Sequence, residues 1–177
     1  GKPIPGYEVK IVDANGKVVR KGETGVLMVK GDSIAPYYWN KHEKTKQCMQ
    51  GEWFYSGDNY VEDEDGFYWY MGRADDMLKS GGIWVSPIEV EDTLMGHEAV
   101  VEAAVIGAKD EGGLERPKAF VALKEGYAPS PELAKELQDF VRSKLAPFKA
   151  PRWVEFVEEL PKTTTGKIQR FKLRCGK

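Results

Sequence analysis

Cysteine and histidine are scarce in this chain of 177 residues, which contains two of each. Cys48 and Cys175 lie far apart without metal-ligand spacing, so both are interpreted as structural or incidental thiols of a protein from the reducing cytoplasm. His42 and His97 are equally isolated, so the sequence offers almost none of the residues that a zinc site or a Ser-His-Asp triad requires. The sequence therefore predicts neither a metal site nor a catalytic triad within this chain.

Long apolar runs and a basic excess are also missing. No run of about 18 apolar residues occurs, so the sequence predicts no membrane span. The formal net charge of −2 argues against nucleic acid as the principal partner, because nucleic-acid binding favours a strongly basic face. Hydrophobic residues make up 41% of the chain and charged residues 31%, which predicts a globular chain with enough apolar content for a core.

The first half of the chain predicts a β-rich region. Polar and apolar residues alternate over Tyr7–Val12 and lead into a turn signal at 13–16, which predicts a hairpin with a return strand at 18–20. Residues 25–30 form a short apolar run that predicts another strand, and residues 41–49 predict a short polar helix.

Eight aromatic residues are crowded into positions 53–70, which favours strands packed in a sheet. Residues 59–61 and 67–71 are predicted to form a hairpin, and Asp58 is expected between an earlier strand and this hairpin. The Asp58 carboxylate can accept hydrogen bonds from both hydroxyls of a ribose, and the preceding Gly57 lets backbone approach a ligand closely. Taken alone, a Gly-Asp pair is more often a plain turn.

The stretch 72–91 reads as a joint between two bodies. It opens with a charged cluster that includes Arg73 and Asp75, loosens at Gly81-Gly82, and ends in a well-signalled helix start. The alternative is a solvated loop before a surface helix, and the composition of this stretch alone favours that alternative.

The second half predicts the order helix, strand, strand, helix, strand. Ser86 and Glu89 form a capping-box pattern that begins the first helix, which ends at Gly96. The second helix begins after Ser130 and carries one continuous apolar stripe. The predicted strands are residues 100–107, 118–123 and 153–157, with a polar loop at 108–117. This order predicts a small α+β domain in which helices pack against a three-stranded sheet.

The segment 161–167, PKTTTGK, invites comparison with a phosphate-binding loop. A Walker A loop needs glycine where Pro161 stands and serine or threonine where Ile168 stands, so that interpretation is rejected. What remains is a mobile Thr/Gly loop ending in Lys167, which by itself is interpreted as a solvated terminal lysine. A basic tail follows, consisting of Arg170, Lys172 and Arg174.

Four separated segments together indicate a family resemblance that none of them indicates alone. They are GKPIPGYEV at 1–9, YSGD at 55–58, GRADDMLKSGGIWVSPIEVE at 72–91 and LPKTTTGK at 160–167. Their order and spacing resemble the C-terminal portion of the adenylate-forming superfamily, which includes acyl- and aryl-CoA synthetases, luciferases and peptide-synthetase adenylation domains. The resemblance covers essentially the whole chain. Residues 149–157, running into LPKTTTGKIQRFKLR, are most similar to benzoate and hydroxybenzoate CoA ligases.

The resemblance implies an α+β fold in two parts. Residues 1–74 would be the β-rich final subdomain of a large N-terminal adenylation domain. Residues 75–177 would be the small mobile C-terminal lid, with a three-stranded sheet and flanking helices. Gly1 would then start inside the large domain, so the chain is expected to be a fragment that is inactive alone. The phosphate loop, the magnesium-binding glutamate and most of the acid pocket are expected upstream.

The resemblance also implies a two-step ligase with a small carboxylic acid, ATP and CoA as partners and Mg²⁺ as the metal. The acid attacks the α-phosphate of ATP to give an acyl-adenylate and pyrophosphate, and the CoA thiolate then displaces AMP. By likeness, Asp58 holds the ribose diol, Arg73 assists at the ribose and phosphate, and Lys167 reaches the carboxylate and α-phosphate. A placed cation stabilises the charge that builds on the phosphoryl oxygens.

The family resemblance places a pivot at Asp75, about which the C-terminal domain swings between the two half-reactions. CoA ligases commonly carry Asp there, whereas luciferases and peptide-synthetase domains commonly carry Lys, which favours CoA as acceptor. Gly81 and Gly82 are implied to line the narrow pantetheine channel, where a side chain would obstruct the thiol arm. The predicted contacts with the CoA nucleotide are Phe148, Lys149 and Arg152.

One departure and two alternatives accompany this assignment. The family's ribose segment usually reads basic-Thr-Gly-Asp, whereas here Tyr55 replaces the basic residue and leaves its usual role open. The alternatives are a peptide-synthetase-type adenylation domain that loads a carrier protein, and a non-catalytic nucleotide-binding module. Family likeness also predicts a lysine acetyltransferase that acts on Lys167 and switches adenylation off by removing its charge.

Overall fold

The structure is a computed structural model, and it describes residues 1–174. Cys175 lies outside the described residues. Two compact units are present, Gly1–Asp75 and a second that begins at Asp76. The boundary predicted from sequence, between residues 74 and 75, lies one residue earlier. No helix among residues 1–174 is long and apolar enough to cross a membrane.

The first unit is built on a five-stranded antiparallel sheet. Its elements are β1 (Tyr7–Val12), β2 (Thr24–Gly31), α1 (His42–Cys48), β3 (Met49–Gln50), β4 (Trp53–Glu62) and β5 (Tyr68–Arg73). The strand order is β1-β2-β4-β3, and β5 pairs with β4. Val12, Val26 and Met28 are buried together, with Trp53 and Tyr55 packed against them. Trp53 and Tyr55 therefore pack against the core of this unit, as the sequence predicted, whereas Phe67, Trp69 and Tyr70 stay exposed.

The predicted return strand at 18–20 is wrong. Val18 makes one isolated bridge to Val12, and β1 pairs instead with β2 along its whole length. Asp13 explains the tight turn, because its carboxylate accepts hydrogen bonds from the backbone N–H groups of Asn15 and Lys17 at 2.9 Å each. Residues 18–20 stay largely exposed after this turn, whereas β2 buries apolar side chains and so gains the free energy that holds a strand in place.

The predicted position of Asp58 also needs correction, because it lies inside β4 rather than between a strand and a hairpin. The strand runs through Gly57, whose φ of +71° would strain any other residue. Opposite this point the register of β2 against β4 shifts between Val26 and Met28, which is the signature of a β-bulge. The bulge lets one long strand absorb a glycine that the sequence reading took for a strand end.

Over residues 76–174, the second unit combines a three-stranded sheet, a separate two-stranded hairpin and three α-helices. Its elements are β6 (Leu78–Ser80), β7 (Ile83–Val85), α2 (Pro87–Met95), β8 (Val100–Lys109), β9 (Glu115–Leu123), α3 (Pro131–Lys144), β10 (Trp153–Phe156) and α4 (Arg170–Arg174). The sheet order is β10-β9-β8, with β8 and β9 antiparallel and β10 parallel to β9. The α+β class and the three-stranded sheet predicted from sequence are confirmed.

Helix starts in the second unit follow the signals in the sequence. The hydroxyl of Ser86 accepts a hydrogen bond from the Glu89 backbone N–H at 3.4 Å, and that of Ser130 accepts from Leu133 N–H at 3.1 Å. Each cap satisfies a backbone donor that the first helical turn leaves without an intrahelical partner. Prolines 87 and 131 then occupy the first helical position, where the missing N–H costs nothing.

Both faces of the three-stranded sheet are covered. Along β8, Ala103 and Val105 belong to a large core with α2 and α3, whereas Ala104 and Ile106 belong to a smaller core with α4. This split follows from the two-residue period of a strand, which sends successive side chains to opposite faces. The second core also contains Leu160 and Leu173, which flank the Thr/Gly loop in sequence. Both stems of that loop are therefore anchored in the core.

The predicted loop at 108–117 is more ordered than the sequence suggested. The ladder between β8 and β9 continues to Lys109 and Glu115, which leaves a short turn in place of the loop at 108–117. The Asp110 carboxylate closes this turn by accepting hydrogen bonds from the N–H groups of Gly112 and Leu114 at 3.0 Å each. Those hydrogen bonds to the charged form, that of Leu114 above all, lower the pKa of Asp110 below its ordinary value.

Candidate functional site

Asp58 and Arg73 form the central ion pair of the first unit. They are direct partners in the register between β4 and β5, and Arg73 Nη1 lies 2.9 Å from Asp58 Oδ1. The same Nη1 donates to the carbonyl oxygen of Ser56 at 3.3 Å. A Cβ on Gly57 would lie 3.1 Å from Arg73 Nη2. Glycine is therefore favoured at position 57 both by its positive φ and by the closeness of the guanidinium.

The bulge that presents Asp58 is fixed by one hydroxyl. Ser56 Oγ donates to the carbonyl oxygen of Leu27 at 2.8 Å and accepts from the backbone N–H of Asp58 at 3.1 Å. This serine occupies the place where the related motif carries threonine, and the structure shows that its hydroxyl has a bridging role. Tyr55, at the position of the missing basic residue, packs against the apolar core of the unit.

This ion pair is open to solvent on one side. The Asp58 side chain is 32% exposed and that of Arg73 is 47% exposed. Partial burial opposes the charged form of Arg73, but the hydrogen bond and charge of Asp58 outweigh it and raise the pKa of the guanidinium. A carboxylate has about four acceptor positions, so one bond from Arg73 leaves acceptor capacity for a diol. The pair offers acceptors and a permanent cation side by side.

Asp75 lies at the junction of the two units, in the short 3-10 turn Ala74–Asp76. Its side chain is 87% exposed, and its Oδ2 is 3.9 Å from Arg73 Nη2. Such an exposed pair contributes at most about 1 kcal/mol to stability, so it restrains the junction only weakly. The residue predicted to be the pivot therefore carries no strong side-chain tie within its own unit.

Gly81 and Gly82 form the two-residue turn of the β6–β7 hairpin, with φ of +59° and +88°. Two successive positive φ values are typical of a tight hairpin turn, so the pair is more ordered than the flexible link predicted from sequence. A Cβ on Gly81 would lie 3.5 Å from Arg116 Nη1, whereas the space at Gly82 is open. The hairpin is held by Ser80 Oγ, which donates to the carbonyl oxygen of Phe148 at 3.0 Å. The structure thus brings the glycine pair next to one of the predicted CoA contacts.

The remaining predicted CoA contacts differ in how free their charges are. Lys149 Nζ donates to both carboxylate oxygens of Glu89 at 2.7 Å, and both side chains are partly buried. Arg152 is exposed, and its guanidinium lies 5.7 Å from the ring centroid of Trp153. Lys149 would have to leave a short ion pair to bind a phosphate, so Arg152 is the better placed of the two cations.

Lys167 is exposed at the end of a small hairpin-like loop. Thr163 N–H donates to the Lys167 carbonyl oxygen at 2.8 Å, and Lys167 N–H donates to Thr163 Oγ1 at 3.1 Å. Lys162 and Ile168 bridge the two stems. The Lys167 ammonium has no ion-pair partner among residues 1–174. Asp58 and Arg73 belong to the first unit and Lys167 to the second, and each is described within its own unit.

The sequence analysis missed a buried ion-pair network in the second unit. Glu91 accepts hydrogen bonds from Arg170 Nη2 at 2.6 Å and from Val105 N–H at 2.7 Å. Burial raises the pKa of the Glu91 carboxyl, and the Arg170 guanidinium opposes that rise. A signal was present in the sequence, because Pro87, Val90, Glu91 and Leu94 fall at i, i+3, i+4 and i+7, on the one helix face that the structure buries. An acid on the apolar stripe of a helix indicates a buried partner.

The described residues do not build a divalent-metal site. Among residues 1–174, no three side chains of His, Cys, Asp or Glu come together as ligands. A magnesium ion needs oxygen ligands in octahedral geometry, supplied in part by carboxylates and in part by substrate phosphates. The residues present therefore do not fit the Mg²⁺ that family likeness implies, and no chemical step is assigned to a metal held by them.

Comparison with known proteins connects these features. Residues 1–39 match the AMP-binding enzyme family model, and residues 89–167 match the model of the AMP-binding enzyme C-terminal domain. The chain belongs to the AMP-binding, or adenylate-forming, enzymes, and it corresponds to their C-terminal portion. Within that family its similarity to aryl-CoA ligases is high. It is 54% identical over 177 residues to a benzoate–CoA ligase of Thauera aromatica, covering 99% of this chain and 34% of that protein.

Two solved structures extend this similarity to three dimensions. The anthranilate CoA ligase AuaEII in complex with anthranoyl-AMP superposes with a TM-score of 0.94 at 55% identity, covering 99% of this chain and 34% of that one. A benzoate CoA ligase from Burkholderia xenovorans superposes with a TM-score of 0.89 at 54% identity, covering 98% and 35%. The chain spans about a third of the length of the curated relatives it matches.

Proposed function

We propose that this chain is the C-terminal part of an ATP-dependent carboxylic acid–CoA ligase whose acid is benzoate or a related aromatic acid. The observation that carries this proposal is the 54% identity to a benzoate–CoA ligase along 99% of the chain. A 4-hydroxybenzoate–CoA/benzoate–CoA ligase of Rhodopseudomonas palustris, 46% identical over 98% of the chain, supports the same class of acid. We also propose a cytoplasmic location, because ATP and CoA are intracellular metabolites.

The proposed reaction has two balanced steps. An oxygen of the acid attacks the α-phosphorus of ATP, the bond to the β-phosphate oxygen breaks, and pyrophosphate leaves with that bonding pair. The CoA thiolate then attacks the acyl carbon, and AMP leaves with the electrons of the acyl–oxygen bond. A Mg²⁺ ion would supply charge neutralisation at the phosphates, and we place its ligands outside the residues described.

The exposed pair of the first unit is proposed to bind the nucleotide. Asp58 accepts hydrogen bonds from the ribose hydroxyls, while Arg73 both holds Asp58 in place and faces the phosphate. The 2.9 Å bond between them keeps the carboxylate oriented, and their exposure leaves room for a ligand. Lys167 is proposed to reach the α-phosphate during adenylation. One such charge at ~4 Å contributes an attraction of roughly 4 kcal/mol at an effective dielectric near 20, before desolvation.

The two half-reactions are proposed to use different orientations of the second unit, which pivots at Asp75. Lys167 serves adenylation, and the Gly81-Gly82 turn then lines the path of the CoA thiol arm. The absence of side chains at this turn, next to the Phe148 carbonyl, supports that role. Phe148, Arg152 and, more weakly, Lys149 would contact the nucleotide end of CoA.

The function is tested with the full-length protein, ATP, CoA and Mg²⁺ and a panel of benzoates and fatty acids. Acid-dependent release of AMP, matched by formation of acyl-CoA and strongest with benzoates, is the expected result. Acid-dependent pyrophosphate exchange without acyl-CoA would instead indicate a carrier-protein acceptor and overturn the CoA assignment. A folded protein that shows no acid-dependent exchange with any acid would overturn the ligase assignment.

The pivot is tested with Asp75→Pro, because proline fixes φ near −65° and removes the freedom that rotation needs. We expect adenylation to persist and thioester formation from supplied acyl-adenylate to stop. Asp75→Ala is the matched control, since it removes the carboxylate and keeps φ free. Full overall turnover in the proline variant would rule out a pivot at this residue.

Acetylation of Lys167 is proposed to regulate the adenylation step. The ammonium is exposed and unpaired among residues 1–174, so a modifying enzyme has access to it. Acetylation removes the charge on which the adenylation step depends. Adenylation that continues unchanged after stoichiometric acetylation at this lysine would contradict the proposal.

A further inference from the structure

Arg170 lies at the centre of the buried network in the second unit. Its Nε donates to Glu91 Oε1 at 3.2 Å and its Nη2 donates to Glu91 Oε2 at 2.6 Å, so the guanidinium holds the carboxylate with two parallel bonds. Its Nη1 lies 3.7 Å from Asp76 Oδ2, and Asp76 also accepts a bond from Arg174 at 2.6 Å. The side chains of Glu91 and Arg170 are only 6% and 17% exposed. Their geometry is therefore fixed by packing as well as by charge.

Each carboxylate in this network belongs to a different structural element. Glu91 lies on α2 and is tied to β8 through the backbone N–H of Val105. Asp76 is the first residue of the second unit, directly after the proposed pivot. Arg170 begins α4, three residues after Lys167. The network thus connects the start of the unit, its main helix–sheet core and the segment that carries the lysine.

The loop that ends in Lys167 has two stems, and each is clamped. On the first stem, Lys162 pairs with Glu102 of β8 at 2.7 Å, but both side chains are about one-third exposed. On the second stem, the Gln169 N–H donates to the Pro161 carbonyl oxygen at 2.7 Å. Arg170 then donates two hydrogen bonds to the buried carboxylate of Glu91. The second clamp is the more rigid one, because a two-pronged buried bond fixes direction as well as distance.

We infer that Arg170 is a positioning residue that sets the direction of the Lys167 loop relative to the start of the second unit. Lys167 is exposed and has no ion-pair partner of its own among residues 1–174, so its direction depends on the stems of its loop. Arg170 fixes the nearer stem through Glu91 and touches no substrate itself. This inference rests on the proposed role of Lys167 in adenylation.

The shape of the guanidinium matters here more than its charge. A lysine at position 170 keeps one positive charge, but it cannot form the planar fork that binds both carboxylate oxygens of Glu91. Arg170→Lys therefore retains the ion pair with Glu91 but no longer fixes the direction of the Lys167 loop. An error of about 1 Å in placing a reacting group costs on the order of 100-fold in rate. We expect the variant to lower the kcat of adenylation by about 10- to 100-fold.

The test uses the full-length enzyme and measures the two half-reactions separately. Acid-dependent ATP–pyrophosphate exchange reports adenylation, and thioester formation from supplied acyl-adenylate reports the second step. In Arg170→Lys we expect a lower kcat for exchange, a KM for ATP within about twofold of wild type, and an unchanged second step. Arg142→Lys is the matched control, because Arg142 forms an exposed pair with Asp139 on α3, away from the loop. It should leave both half-reactions unchanged.

A double-variant cycle separates positioning from general destabilisation. Lys167→Ala by itself is expected to lower adenylation by roughly 10²- to 10³-fold. If Arg170 acts through Lys167, adding Arg170→Lys to Lys167→Ala produces no further loss, because the group being positioned is gone. The inference is overturned if the losses of adenylation rate in the two single variants multiply in the double variant. It is also overturned if folded Arg170→Lys loses both half-reactions equally. Should Arg170→Lys not fold, Glu91→Gln takes its place with the same expected pattern.

The wild-type enzyme distinguishes this inference from the proposed function. If wild type shows no acid-dependent exchange, the ligase assignment itself has failed. If wild type is active and Arg170→Lys is indistinguishable from it in exchange, the ligase assignment stands and the positioning role is wrong.

Discussion

The two units each contain an arginine–carboxylate pair, and the pairs differ in burial rather than in chemistry. Arg73 lies 2.9 Å from Asp58, and Arg170 lies 2.6 Å from Glu91. The first pair is about one-third to one-half exposed, whereas the carboxylate of the second is 6% exposed. The exposed carboxylate has acceptor capacity left, while both oxygens of the buried one are used by Arg170 and Val105. Burial thus distinguishes the pair that has capacity left for a ligand from the pair whose hydrogen-bonding groups are used within the fold.

Solvent screening gives the physical reason for this difference. An exposed pair gains little stability, because water screens the attraction and side-chain order opposes it. A buried pair tolerates no loss of either partner, because the remaining charge is left without water or counter-charge. Loss of the buried pair is therefore expected to lower stability, whereas loss of the exposed pair is expected to weaken ligand binding.

The largest effect is expected from Glu91→Ala, which leaves Arg170 buried without its main partner. We expect the free energy of unfolding to fall by about 3–5 kcal/mol, measured by urea denaturation of the full-length protein. Asp58→Ala is the matched control in the exposed pair and should cost no more than about 1 kcal/mol. Equal losses of unfolding free energy in Glu91→Ala and Asp58→Ala would contradict the distinction between the buried and the exposed pair. The double change of Glu91→Leu with Arg170→Met should recover much of the stability, because it removes both charges.

An effect of the opposite kind is expected for nucleotide binding. Asp58→Asn removes the charge-assisted hydrogen bonds to a ribose, each of which contributes about 1.5–3 kcal/mol, so KM for ATP should rise by roughly 10- to 100-fold. Its unfolding free energy should stay close to that of wild type. A KM within a factor of about two of wild type would exclude Asp58 as a ribose ligand.

A smaller effect is expected at the bulge that presents Asp58. Gly57→Ala forces a β-carbon into a backbone with φ of +71° and places it 3.1 Å from Arg73. The strain should lower the unfolding free energy by about 1–2 kcal/mol and weaken ATP binding as well, since the ion pair must shift. Gly126→Ala, also at positive φ but in open space, is the control for backbone strain alone. Equal effects of both variants on ATP binding would remove the special role of Gly57.

The smallest effect concerns a third pair, Asp110 with Arg116 at 3.4 Å, in which the carboxylate also closes a turn. The pKa of Asp110 is lowered, first by the backbone hydrogen bond from Leu114. Its contribution to stability is present above the unfolded-state pKa and is lost as pH falls toward the lower folded-state pKa. Asp110→Asn should therefore reduce the fall in Tm between about pH 6 and pH 3. An unchanged pH dependence would show that this carboxylate does not contribute to acid sensitivity.

Much of the fold could be predicted from local patterns. The apolar stripe of α3 and the serine caps of α2 and α3 are correctly placed, because each depends on residues within one or two helical turns. The return strand at 18–20 was wrong because only Val18 bridges to β1 and residues 18–20 stay largely exposed, whereas β2 pairs along the whole of β1 and buries apolar side chains. The long β4 was missed at Gly57 because a glycine in a bulge and a glycine in a turn look alike in sequence.

The candidate site divides in the same way. The residue types proposed for the nucleotide and the pivot could be found from four motifs in the sequence. Their partners could not, since Lys149 pairs with Glu89 across 60 positions and Arg170 with Glu91 across 79. Arg170 was interpreted as part of a basic tail, although its ion pair with Glu91 is the most buried one among residues 76–174.

The sequence by itself determined the family, the order of α2, β8, β9, α3 and β10 in the second unit, and the residue types proposed to bind ATP and CoA. Only the tertiary structure decided which charges are saturated and which remain open to a ligand. The physical reason is that periodicity and capping are written in neighbouring residues, whereas burial and ion pairing depend on segments that meet only after the chain has folded.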